Sequence, residues 1–104
     1  MSANHLAVRR GRYQGMESIE ITGPFDASEP ELENSIKQVL EEGQTDIVFD
    51  LSRTTYLTSP GIAVIIKAIK WFNSVNGSVH VYGATRDIRD FFNLSRIEGF
   101  IHYL

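Results

Sequence analysis

Apolar positions along the chain change period several times, and each change predicts an element. Leu6, Val8 and Tyr13 form a weak alternation up to Gln14 and predict an edge strand. Gly15 and Met16 read as a turn, after which Ser18-Ile19-Glu20-Ile21-Thr22 alternates polar and apolar with period two. That alternation predicts a half-buried strand, and the two strands together predict a hairpin. Gly23-Pro24 is expected to end the second strand, with turn and cap chemistry from Asp26 to Pro30. Leu32, Ile36, Val39 and Leu40 then share one face of a helix that Gly43 stops. Its acidic start, at Glu29, Glu31 and Glu33, suits the positive end of the helix dipole.

Asp46-Ile47-Val48-Phe49-Asp50-Leu51 is a short apolar run of β-formers, as in a strand covered on both faces. A second helix is predicted from the Leu57-Thr58-Ser59-Pro60-Gly61 segment to about Asn73, followed by a turn at Asn76-Gly77 and a strand at Val79-His80-Val81-Tyr82. Thr85 is placed to cap a third helix whose apolar face is Ile88, Phe91, Phe92 and Leu94. Gly99 breaks that pattern, and Phe100 to Tyr103 predicts a last short strand. The order β-β-α-β-α-β-α-β implies βαβ crossovers: an α/β fold with one layer of mostly parallel strands, an N-terminal hairpin, and helices packed against it.

Length, charge and composition narrow the function classes. The 104 residues suit a single domain over 1–104, large enough to bury roughly 60–70% of its unfolded surface without a staple. There is no cysteine, which removes disulfides, thiolate catalysis and Cys-ligated metals. No run reaches the roughly 18–20 apolar residues of a membrane span, so no membrane insertion is expected. The basic residues before Arg12 lead into no apolar stretch, so no signal peptide is expected and the cytoplasm is the expected compartment. Residues 1–50 carry 4 basic and 10 acidic side chains, residues 51–104 carry 6 and 3, and the net charge is −3. With Arg9, Arg10 and Arg12 lacking interleaved aromatics, no nucleic-acid partner is expected. His5, His80 and His102 have no metal-ligand spacing, and neither a phosphate loop nor a Gly-x-Ser-x-Gly elbow is present, so no cofactor, metal or enzymatic activity is expected. Asp46 and Asp50 share a strand face but make a poor acid–base pair.

One segment carries candidate chemistry. Ser59-Pro60-Gly61 follows a buried strand and opens an apolar helix. A serine at the N-cap accepts hydrogen bonds from the free amides of the first turn, and proline suits the next position because its missing N–H would have no partner. Such a hydroxyl lies at the carboxyl edge of the sheet, where open α/β folds receive ligands and partners. The plainer reading is a structural cap worth about 1 kcal/mol.

Val48-Phe49-Asp50-Leu51-Ser52 followed by Tyr56-Leu57-Thr58-Ser59-Pro60-Gly61-Ile62-Ala63-Val64 resembles the signature of the STAS family, named for sulfate transporters and anti-sigma factor antagonists. There a hydrophobic-Asp-Leu-Ser strand leads into Asp-Ser-Ser/Thr-Gly-Leu-Gly at the second helix. Gly23-Pro24-Phe25-Asp26, Val79 to Gly83 and Arg89 through Phe100 resemble further family segments. The resemblance covers nearly the whole chain. It implies a bacterial anti-sigma factor antagonist that binds an anti-sigma factor of the serine-kinase type, with Ser59 as phosphoacceptor and a matching phosphatase to reset it. Two positions depart from the pattern: Thr58 stands where the family has Asp, and Pro60 replaces the second hydroxyl residue.

The resemblance also makes the second helix part of the docking surface, with Thr58, Ser59, Pro60, Gly61, Val64 and Trp71 as candidate partner-binding residues. On that helix Ile62, Ile65, Ile66, Ile69 and Phe72 form the core stripe, while Val64, Ala68 and Trp71 form a flanking row open to partial exposure. Two other classes fit a STAS-like chain: a scaffold subunit of a lipid-transport ABC complex or a stressosome-type assembly, and a nucleotide-binding sensor.

Overall fold

The computed structural model describes residues 6–26 and 29–104. Strand β1 (Ala7–Tyr13) pairs antiparallel with β2 (Met16–Phe25). Their link is the two residues Gln14 and Gly15, with φ of 52° and 82°, so Met16 already belongs to the strand. Two positive-φ residues in a two-residue loop match the twist of the flanking strands, which is why a glycine sits there.

Helix α1 (Pro30–Glu41) buries Leu32, Ile36 and Val39. It ends in a Schellman motif: Gly43, at φ 85°, donates to the Leu40 carbonyl at 2.9 Å, and the next amide, Gln44, donates to Val39 at 3.2 Å. Strand β3 (Asp46–Asp50) lies mid-sheet, with Ile47, Val48 and Phe49 all fully buried. A strand absent from the sequence reading follows, β4 (Thr54–Leu57), then α2 (Ser59–Asn73), β5 (Ser78–Tyr82), α3 (Arg86–Leu94), a single 3-10 turn at Glu98–Phe100, and β6 (Ile101–Tyr103).

The strands run β1-β2-β3-β5-β6, parallel except for the hairpin, as the α/β reading expected. Gly23-Pro24 does not end β2. The strand pairs with β3 over Glu17–Glu20, shifts register at Gly23/Pro24, and pairs with β4 through Phe25. Proline has no amide to donate, and a register shift is where a strand tolerates that loss. Thr54 is buried and donates its hydroxyl proton to the Ile21 carbonyl at 2.6 Å, pinning the start of β4.

All three helices pack one sheet face. Ile19, Ile21, Ile47, Phe49, Val79, Val81 and Ile101 form one apolar cluster with the buried faces of α1, α2 and α3. Alternation sends Ser18, Val48, His80 and His102 to the opposite face, where Tyr13 of the hairpin meets Tyr82 with ring centroids 4.6 Å apart. Leu94, expected on the buried side of α3, is 81% exposed. Three residues after Phe91 on a helix of nine, it has rotated past the sheet and lies over solvent.

Candidate functional site

The chain enters α2 from β4, whose parallel pairing sets Leu57 beside Phe25. The Thr58 amide donates to the Phe25 carbonyl at 3.2 Å, and the Ile62 amide donates to the Thr58 carbonyl at 2.9 Å. Thr58 is therefore the N-cap, with extended φ and ψ of −124° and 179°, and Ser59 is the first helical residue. This corrects the sequence reading by one position: Pro60 lies second in the helix, not first. The Thr58 hydroxyl makes no capping bond; it is buried and finds no partner among the described residues. A cap oxygen accepts from the second or third helical amide; Pro60 has none to give, and the inward-turned hydroxyl does not take the Gly61 amide either.

Gly61 explains how closely α2 starts against the sheet. A Cβ there would lie 2.2 Å from the Phe25 carbonyl oxygen and 2.6 Å from Leu57 Cδ1. No side chain fits, so the first turn is held down on β2 while Ser59 and Pro60 face solvent. With no acidic residue in the first turn, the positive pole of α2 has no side-chain carboxylate of its own. Tyr56 is 51% exposed and donates its phenol proton to Asp26 at 3.4 Å, across the β2–β4 pair.

The proposed partner-binding residues thus divide. Thr58, Ser59 and Pro60 meet at the surface edge; Gly61 is buried. Val64 is only 2% exposed and Ala68 is fully buried, so the flanking row is core over most of its length, and Val64 offers no docking surface. Helices on one side of a sheet bury a second stripe against each other, and α1 supplies that neighbour. Trp71 is half-buried under Lys37 of α1, whose ammonium lies 5.6 Å from the ring centroid. It sits three turns of helix away from Ser59 and is not part of the same patch.

Sequence reasoning missed a groove of about 220 Å³ beside this edge, between β4 and α3, lined by Thr55, Tyr56, Leu57, Thr85, Asp87, Ile88 and Phe91. A larger hollow of about 410 Å³ holds Arg9 and Arg53, but both lean on Glu20, at 3.9 and 3.6 Å, and compensate its charge.

The histidines do converge in part. His80 and His102 are register partners with ring centroids 5.1 Å apart; His5 lies outside the described residues. Ser78 Oγ donates to Asp46 at 2.5 Å and so accepts from His80 Nε2 at 2.9 Å, leaving Nδ1 without a proton. Nδ1 is buried and finds no partner among the described residues, and burial, followed by the nearby His102, holds the His80 pKa below its ordinary value. Among the described residues no group of three or more potential ligands is placed to hold a metal ion. No helix is long and apolar enough to cross a membrane.

The structure is a one-sided α/β sheet that presents the Ser59 hydroxyl at a helix start held tightly to the sheet. Residues 12–103 match the STAS domain family, and the chain belongs to that family. Among curated proteins it is 22% identical over 85 residues to the anti-sigma-B factor antagonists of Staphylococcus epidermidis and Staphylococcus aureus, covering 81% of this chain and 79% of theirs. Among solved structures, an anti-sigma factor antagonist from Mycobacterium paratuberculosis overlays with a TM-score of 0.81, at 18% identity over 98% of this chain and 87% of that one. The antagonist SpoIIAA in its unphosphorylated form overlays at 0.74, with 15% identity over 94% of this chain and 87% of its own. Its phosphorylated form gives 0.73, with 16% identity and coverage of 94% and 91%.

Proposed function

We propose that this chain is an anti-sigma factor antagonist: a single cytoplasmic domain that binds an anti-sigma factor of the serine-kinase type and is released when Ser59 is phosphorylated. A matching phosphatase would return it to the binding form. The observation that carries the reading is the exposed Ser59 at the first position of α2, on backbone that Gly61 locks to β2. A phosphate there adds about −1.5 to −2 charge and three acceptor oxygens beside a helix start that carries no acidic side chain. It is stabilised locally while it disrupts a tightly packed contact by bulk, desolvation and charge.

The fold overlays nearly equally on the phosphorylated and unphosphorylated forms of SpoIIAA, which supports a switch acting at the surface rather than by refolding. The carboxylate that the family places at position 58 is absent, but Asp26 follows Phe25, the register neighbour of Leu57, and supplies a negative charge at the same edge. A stressosome-type scaffold reading is compatible with a threonine at position 58, but the Thr58 hydroxyl is turned inward and offers nothing to a partner.

The test is incubation with anti-sigma-B-type kinases and ATP, read by mass spectrometry. One phosphate mapped to Ser59, and loss of kinase binding in Ser59→Asp but not in Ser59→Ala, is expected. No phosphate with any kinase tried, together with equal binding by the wild type and Ser59→Asp, removes the switch.

A further inference from the structure

The surface around Ser59 does not end at the helix start. Tyr56 and Leu57 stand three and two residues before it, within about 11 Å of chain, and both line the groove between β4 and α3. The far wall is α3, where Asp87, Phe91 and Leu94 recur at four- and three-residue steps and so share one flank. Exposure rises along that flank, from half-buried Phe91 to Leu94 at 81%. Tyr56 at 51% forms the near rim. Tyr56 exposed on the near rim and half-buried Phe91 on the far wall leave the groove's apolar lining open to solvent, with Leu94 one helical step beyond it.

The charge of the groove is one-sided. Among the described residues Asp87 is the only ionic one lining it, and Asp26 on the Tyr56 hydroxyl adds a second carboxylate at the rim. The floor, Leu57, Ile88 and Phe91, is apolar.

We propose that this groove is the specificity half of the docking surface: it takes an aliphatic side chain from a partner segment that carries a Lys or Arg beside it. The inference rests on the reading above, that this edge of the sheet docks a protein. It adds which chemistry the partner must present, and where. The aliphatic group covers Ile88 and Phe91, the cation pairs with Asp87, and Ser59 controls the contact from the adjoining rim. Apolar filling gives the affinity, while the carboxylate selects against acidic partners and makes the contact salt-sensitive.

The probe is an acetylated, amidated peptide of sequence Lys-Leu-Arg-Leu-Lys, titrated into the isotope-labelled full chain and followed by amide chemical shifts. Its acidic counterpart, Glu-Leu-Asp-Leu-Glu, serves as the control. Saturable shifts confined to residues 55–59 and 85–94 are expected with the basic peptide and not with the acidic one. Asp87→Lys and Tyr56→Ser, both at exposed positions, should each weaken binding at least fivefold, and Leu94→Asn should weaken it by a smaller factor. Shifts scattered over other surfaces, equal binding of the acidic peptide, or an Asp87→Lys chain that binds as the wild type does would overturn the proposal. Phosphorylation of Ser59 is read by mass and needs no peptide. Loss of the switch and loss of the groove are therefore separate results.

Discussion

Helices α2 and α3 begin alike in sequence and differently in structure. Each follows a strand, and each has a threonine at its N-cap, Thr58 and Thr85. Thr85 Oγ1 accepts the Ile88 amide at 3.3 Å, and Asp87 places a carboxylate in the first turn. That start is closed by its own side chains. Thr58 turns its hydroxyl inward, Pro60 removes a donor, and no acid follows. The third helical position makes the same contrast: Ile88 fills the core at 2% exposure, whereas Gly61 must be empty for α2 to approach the Phe25 carbonyl. One helix is finished as structure. The other is held rigidly but left chemically open, which is what the phosphorylation proposed for Ser59 requires.

The largest test of that contrast is a size exchange. Gly61→Val should cost about 3 kcal/mol by overpacking, and Ile88→Ala a similar amount by leaving a cavity. For a domain of this length each corresponds to a melting point lower by roughly 15 °C, and a loss under about 1 kcal/mol in either would break the comparison. Next comes the cap. Thr85→Ala should lose about 1 kcal/mol in urea unfolding, while Thr58→Val, which removes a buried hydroxyl without a partner, should be neutral or slightly stabilising. A capping loss at Thr58 equal to that at Thr85 would mean the two starts are alike.

Charge gives a smaller effect of opposite sign at the two ends. Ser59→Asp should stabilise the fold by about 0.5 kcal/mol at low salt, and Asp87→Asn should destabilise it by about the same, both shrinking as salt rises. The smallest effect belongs to pH. His80 is held below its ordinary value of 6.5, mainly by burial, so the unfolded chain takes up that proton first. Stability from neutral His80 is full above 6.5 and declines as pH falls through the interval down to the folded value. Urea unfolding at about pH 7.5 and about pH 5.5 should show the decline, and His80→Gln should reduce it. Neither helix start carries an imidazole, so the difference between Thr85→Ala and Thr58→Val should stay unchanged over that range.

Much of this was legible in the chain because it is local. The hairpin, the three helices, β3 and β5 are each announced by a period of two, a period near 3.6, or an unbroken apolar run. Ser59 stood out because Ser-Pro-Gly before an apolar helix has few local conformations. Strand β4 was hidden because four residues with Thr55 and Tyr56 exposed show no alternation, and its partner is the far end of β2, some 30 positions earlier. Val64 was misplaced because α2 is apolar on more than one face, and only the position of α1 tells which faces are covered. Leu94 was misplaced for the converse reason: the third helix simply outruns the sheet beneath it.

The amino-acid sequence by itself determined the order of elements, the STAS signature and the hydroxyl at the start of the second helix, because these depend on neighbours in the chain. The tertiary structure decided what surrounds that hydroxyl. Pairing β4 to β2 brings Asp26 to the same edge, forces an empty position at Gly61, and opens a groove against α3. Those relations join residues 25, 61 and 91, and no local period encodes a contact across that separation.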